Sequence, residues 1–269
     1  PLGFMILFVV GTVIGWVSIA ILRRIVEPAP QQADQRLSWR EQLRLPFSEP
    51  NVRGFIIYRA VWALVVGICG NFFTVYLISQ LGLSYSLIYA LSTYNVLGQL
   101  LSYRFLAMIS DRVSARAMLA FSTVGKGIFA ITYAFTTATN LPLLIVVHSF
   151  GLFEAGINLS TNTMLLNVTP RQNSTAYIAG YAAVVNVCSA ISPLIGAALV
   201  ASAQGLHFDL AGIPLVNYQV LFLVSGIGRV LSLVIIRIFL MPRVSSRSVG
   251  LSIGRSSACR TSAVSFSGA

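Results

Sequence analysis

Charged side chains are scarce in this sequence. Asp, Glu, Lys and Arg make up 9% of the 269 residues, whereas hydrophobic types make up 56% and the mean hydropathy is +0.82. A water-soluble domain commits about a quarter of its residues to charge. A soluble domain is therefore excluded, and a chain built mostly of membrane-spanning segments is expected. Lysine occurs once, at Lys126, and the seven acidic residues face 18 Lys and Arg, a formal net charge of +11. Those basic residues are scattered between apolar runs rather than gathered on one face. They fit orientation in a bilayer, and no nucleic-acid partner is expected.

Cysteine is also scarce. Cys69, Cys188 and Cys259 have no metal-ligand spacing and form no disulfide framework, so neither a metal nor another cofactor is expected. The first two fall in apolar segments, where cysteine packs as a small hydrophobe. No Gly-x-x-x-x-Gly-Lys loop occurs, which argues against ATP as an energy source and against an enzyme of that kind. No basic stretch precedes the first apolar run, so a signal peptide is not expected. Asn158, Asn167 and Asn173 head Asn-x-Ser/Thr triplets but fall within spans or on the inner face, so they should carry no glycan.

The apolar runs dominate. A helix crosses the hydrocarbon core in roughly 20 mostly apolar residues, and seven segments qualify: 2–22, 55–79, 85–108, 117–138, 141–168, 174–201 and 216–240. The connections separate by charge. Arg23, Arg24, Arg36, Arg40, Arg44, Arg53, Arg112, Arg116, Arg171 and the arginines after 241 fall on one side. Residues 80–84, 136–140 and 202–215 on the other side contain no Lys or Arg. Basic loops stay cytoplasmic, so the N-terminus is expected outside and the C-terminus in the cytoplasm. The fold class is all-α and polytopic.

The organisation is one helix (1–22), a cytoplasmic linker (23–53), a six-helix unit (54–241) and a tail (242–269). Within the linker, "RLSWREQLRLPF" (36–47) offers Ser38 as a cap and Trp39 and Leu43 at helical spacing, which predicts a short helix on the inner membrane surface. The tail is rich in Ser and Arg and without periodicity. Disorder is expected there, and a truncated or altered reading frame is an open alternative.

The stretch "ISDRVSAR" (109–116) has two readings. Asp111-Arg112-Val113 at the inner end of a third span suits a seven-helix receptor. Against that stand the long 23–54 connection, the lack of cysteine in 81–86, and the lack of an Asn-Pro-x-x-Tyr turn or a lysine in the last span. Counted from the second segment, "AMISDRVSAR" (107–116) resembles the loop motif of the major facilitator superfamily, roughly Gly-x-x-x-Asp-Arg-x-Gly-x-Arg. Asp111, Arg112 and Arg116 match, while Ala107 and Ser114 replace the two glycines. "FFTVYLISQLGLSYSLIYALS" (72–92) and residues 155–199 look like further parts of the C-terminal half of such a protein.

The resemblance covers about residues 1–241. It implies that segment one is the sixth helix of a twelve-helix transporter, that 23–54 links the halves, and that the five preceding helices are missing from this chain. It also implies alternating-access transport of a small solute in the plasma or inner membrane, with Asp111, Arg112, Arg116 and Arg104 as an inner gate. A carboxylate that caps a helix and bridges to arginine makes such a latch.

Charge placement suggests the transport site. A charged side chain at the bilayer centre costs about 2.5–3.5 kcal/mol, and Glu154, Lys126 and Arg229 all fall near mid-span. Arg59, Arg104 and Arg237 lie nearer inner ends, where they snorkel. Glu154, Asn158, Thr161 and Asn162 share one helical face, which reads as a cavity wall on which Glu154 gains and loses a proton. A fixed pair of Glu154 with Lys126 or Arg229 is the plainer alternative. Asn95 and Gln99, with Ser92 and Ser102, form a second stripe suited to substrate contact or to interhelical hydrogen bonds. Asn71 beside Gly67 and Gly70, and Asn186 ahead of Pro193, mark bendable segments, and His148 reads as packed. The expected partners are a small solute, protons, the lipid bilayer and the missing half. Apolar walls favour an amphipathic solute over a sugar phosphate. An Asp111→Ala substitution should impair the cycling of a transporter in an uptake assay, whereas it would leave partner binding by a scaffold intact.

Overall fold

A peptide group in hydrocarbon has no water to bond, so spanning backbone must satisfy itself and forms helices. The computed structural model describes residues 2–24, 38–110, 112–170, 172–203, 208–210 and 213–240. Asp111, Arg171, the centre of the linker (25–37) and the tail from 241 onward lie outside the described residues. The elements in chain order are α1 Leu2–Leu22, α2 Trp39–Ser48, α3 Pro50–Gly70, α4 Phe72–Ser79, α5 Tyr85–Ser110 and α6 Ala115–Ala134. There follow α7 Leu143–Ser149, α8 Leu152–Val168, α9 Ser174–Ser202, β1 Phe208–Leu210, β2 Ile213–Leu215 and α10 Asn217–Leu240.

The protein is an all-helical membrane bundle apart from one small hairpin. Pro50–Ser79, Ala115–Ala134, Leu143–Val168, Ser174–Ser202 and Asn217–Ile238 are each long and apolar enough to cross a membrane. The 26-residue α5 is long enough but more polar, because it carries Ser92, Asn95, Gln99, Ser102 and Arg104. The described side chains of α1 are exposed along its whole length. The 202–215 connection, expected as plain loop, contains antiparallel β1 and β2, with Phe208 opposite Leu215 and Leu210 opposite Ile213.

Two spans expected as continuous are each divided. The first breaks at Asn71, between α3 and α4. The second breaks between Ser149 and Leu152, where Phe150 and Gly151 donate to Val147 and His148 carbonyls, three residues back instead of four. In α9 the proline is accommodated without a break. Pro193 has no N–H for the carbonyl of Ser189, and the Ser192 hydroxyl donates to that oxygen instead, at 3.0 Å.

Caps set the inner ends. Ser114 sits at φ −61°, ψ 144° and accepts from Ala117 N at 3.3 Å, so it caps α6. That conformation needs no glycine, which accounts for serine standing where the loop motif has one. At α2 the Ser38 N–H donates to Glu41 Oε2 at 2.8 Å. The linker helix lies against α9 and α3, with Pro46 pressed onto Gly180.

The spans form an open arc in the order α9, α3, α10, α6, α8, α5. Small residues set its tightest seams, as in lipid, where close backbone approach drives association. A Cβ at Gly226 would lie 2.9 Å from Ile131 N and 3.1 Å from the carbonyl oxygen of Gly127, and a Cβ at Gly196 would collide with the carbonyl of Ile68. Phe73 inserts among Tyr133 and Phe222 with ring centroids 4.5 and 4.6 Å away, which pins α4 to α6 and α10. Gly226→Ala should destabilise the purified protein by about 1–3 kcal/mol, because backbone blocks the added methyl. Gly98→Ala, with open space at its Cβ, should leave the thermal midpoint unchanged or slightly raised.

Candidate functional site

Four helices converge on a polar cluster in the middle of the arc. Lys126 on α6 pairs with Glu154 on α8, Nζ to Oε2 3.0 Å, with the Lys126 side chain 12% exposed and that of Glu154 39%. The Lys126 ammonium also lies 4.5 Å from the centroid of Phe129. Arg229 on α10 is 1% exposed. Its Nη1 donates to the Lys126 carbonyl at 3.1 Å and its Nη2 to Cys69 Sγ on α3 at 3.1 Å. The relay continues from Cys69 Sγ to Ser225 Oγ at 3.1 Å and from Ser225 to the Val65 carbonyl at 2.6 Å. Arg229 Nε has no hydrogen-bond partner among the described residues.

The break between α7 and α8 places Glu154 in the first turn of α8, where the N-terminal end of the helix dipole favours a carboxylate. Gly151 permits the break to sit against α5, since a Cβ there would meet the Asn95 backbone oxygen at 2.7 Å. Asn95 Nδ2 donates to the His148 carbonyl at 2.8 Å, a second bond to the oxygen that also accepts from the Gly151 N–H. His148 is buried, and its Nδ1 faces the Leu144 carbonyl at 2.7 Å.

The Glu154 stripe divides. Asn158 Nδ2 reaches Tyr103 Oη on α5 at 3.4 Å. Thr161 is buried, with no partner for its hydroxyl among the described residues, whereas Asn162 is exposed. On α5, Ser92 and Ser102 return hydrogen bonds to their own helix, and Gln99 is half-buried. Asn71 stands exposed at the α3–α4 break, and Asn186 is exposed on α9. Of the loop motif, Asp111 lies outside the described residues, while Arg112, Arg116 and Arg104 are exposed. Arg116 and Arg237 line a cavity of about 480 Å³ between the start of α6 and the end of α10.

A second cavity, of about 230 Å³, opens beside the cluster. Its polar lining is Thr74, Ser92, Asn95, Lys126, Tyr133 and His148, and its apolar lining is Phe73, Leu77, Ile88, Val96 and Phe129. Cys69 and Tyr103 were not among the expected site residues. Their partners lie 160 and 55 positions away in the chain, so no local pattern marks them.

The model of the Major Facilitator Superfamily matches residues 63–261, most of the chain. The protein belongs to the major facilitator superfamily. Comparison with curated proteins and comparison with solved structures return no match. The superfamily match makes the chain part of a multi-pass membrane transporter. It begins within α3, beyond α1 and the linker, and it runs past 241 into residues outside the described set. Removing either member of the Lys126–Glu154 pair strands a charge. Lys126→Met or Glu154→Leu should each cost about 1–3 kcal/mol, reduced from the fully buried case because Glu154 is partly exposed. The double variant should cost less than the sum of the two, as read by thermal unfolding of the purified chain.

Proposed function

We propose that this chain is the C-terminal part of a secondary transporter that moves a small solute by alternating access, with protons as the coupling ion and Glu154 as the carrier. The observation that carries the reading is the placement of Glu154, paired on one side and 39% exposed on the other in the middle of the span Leu143–Val168. A half-exposed carboxylate at that depth is costly against lipid, so its open side faces water or a polar partner. Asn162 on the same helix, Asn71 at the α3–α4 break and Asn186 on α9 are also exposed, which supports a wet inner face.

Alternating access needs a second body to close that face. The exposed α1 fits a helix whose packing partners lie in the complementary half, and 23–54 fits the connection between halves. The inner gate would be Asp111 with Arg112, Arg116 and Arg104, holding helix ends together on the cytoplasmic side of the cell membrane. The N-terminus of the chain would lie outside and the C-terminus inside. A non-transporting scaffold is the second reading, and the closed Lys126–Glu154 pair favours it, because a permanently locked pair carries no proton.

Uptake separates the two. Vesicles holding this chain alone should accumulate no solute. Vesicles in which it is joined to a complementary set of five N-terminal helices, read from the coding sequence upstream of Pro1, should accumulate solute on a proton gradient. Glu154→Gln in that assembly should abolish gradient-driven uptake yet leave exchange of solute down its own gradient. Full gradient-driven uptake by the Glu154→Gln protein would remove Glu154 from the coupling role.

A further inference from the structure

The polar cluster is unbalanced in charge. Lys126 and Arg229 bring two cations to it and Glu154 one carboxylate, and among the described residues no acid lies within ion-pair distance of Arg229. Arg229 is nearly sealed, with its Nε–H unpartnered. A buried excess of positive charge is costly unless an anion offsets it.

Lys126 is the member of the pair that reaches the 230 Å³ cavity, and no carboxylate lines that cavity. Its ammonium has three donors, of which Glu154 takes one. The Phe129 ring accepts a face contact. Ser92 and Asn95 stand on the opposite wall, and Phe73, Leu77 and Val96 supply apolar surface. A small anion with an apolar body matches each of these features, whereas an organic cation would meet Lys126 in a lining that holds no carboxylate, the nearest acid, Glu154, being already paired with Lys126.

We infer that this cavity binds a small amphipathic organic monoanion, with its carboxylate on Lys126 Nζ and its apolar body against Phe73 and Phe129. As a statement about the transported solute it rests on the transport reading above; as a statement about binding it stands without it. The test therefore measures binding to this chain, reconstituted in lipid nanodiscs, with no transport step.

Three probes of one shape are titrated by calorimetry: 3-phenylpropionate, 3-phenylpropanamide and 3-phenylpropylamine. The carboxylate should bind saturably, at least about ten-fold tighter than the amide or the amine. Lys126→Gln should lose about ten-fold in affinity, and Lys126→Arg should keep most of it. Should Lys126→Gln fail to fold, Val96→Trp fills the cavity from exposed α5 without touching the charge cluster, and it should abolish binding with the thermal midpoint unchanged. Equal binding of carboxylate and amide overturns the inference, as does carboxylate binding that survives Val96→Trp. An absence of saturable carboxylate binding up to about 1 mM also overturns it. Carboxylate binding in an assembly that transports nothing would defeat the transport reading and leave the anion site standing.

Discussion

Everything in this structure answers to the absence of water around the backbone. Inside the hydrocarbon each N–H and C=O must find a partner within the protein, so the chain is helical wherever it crosses. Two irregular points carry added side-chain donors. The Ser192 hydroxyl serves the carbonyl that Pro193 cannot, and Asn95 serves the His148 carbonyl where α7 gives way to α8. The interruption at 149–152 lies beside the polar cluster and the 230 Å³ cavity.

Side-chain charge obeys the same constraint. Arg229 is enclosed by a carbonyl, a sulfur and an aromatic ring rather than by a carboxylate. The acid available to the cluster is given to Lys126, the cation with access to open space. Four helices that share no sequence proximity are tied together by this set, and the aromatic cluster around Phe73 packs beside it through Phe129. Polar specificity and apolar packing therefore meet at a single level of the bundle.

Much of the fold was legible in the sequence because membrane helices are written in long apolar runs. Residues 117–138, 174–201 and 216–240 appear as helices within a few residues of the expected bounds, and the short linker helix begins at Trp39, directly after its cap. The hairpin at 208–215 was not legible, since strands of three residues leave no periodicity to detect. Neither was the interruption after Ser149, because the Asn95 side chain that bonds to it lies more than fifty residues earlier. Glu154, Lys126 and Arg229 stood out for the cost of charge at their depth. The division of partners among them depends on how four helices are rotated, which no local spacing encodes. The loop motif was readable as a resemblance, yet its central Asp111 lies outside the described residues.

The seam between α6 and α10 carries a mechanical consequence. Gly127 and Gly226 bring two backbones so close that a single added carbon at either would strike main chain or a branched side chain. Sliding one helix past the other by even one residue, about 1.5 Å, would drive such atoms into the gap. The two glycines therefore act as a keel that resists sliding of α6 along α10. The Gly196 seam between α9 and α3 is equally tight, so the spans left with local freedom are those interrupted at Asn71 and after Ser149.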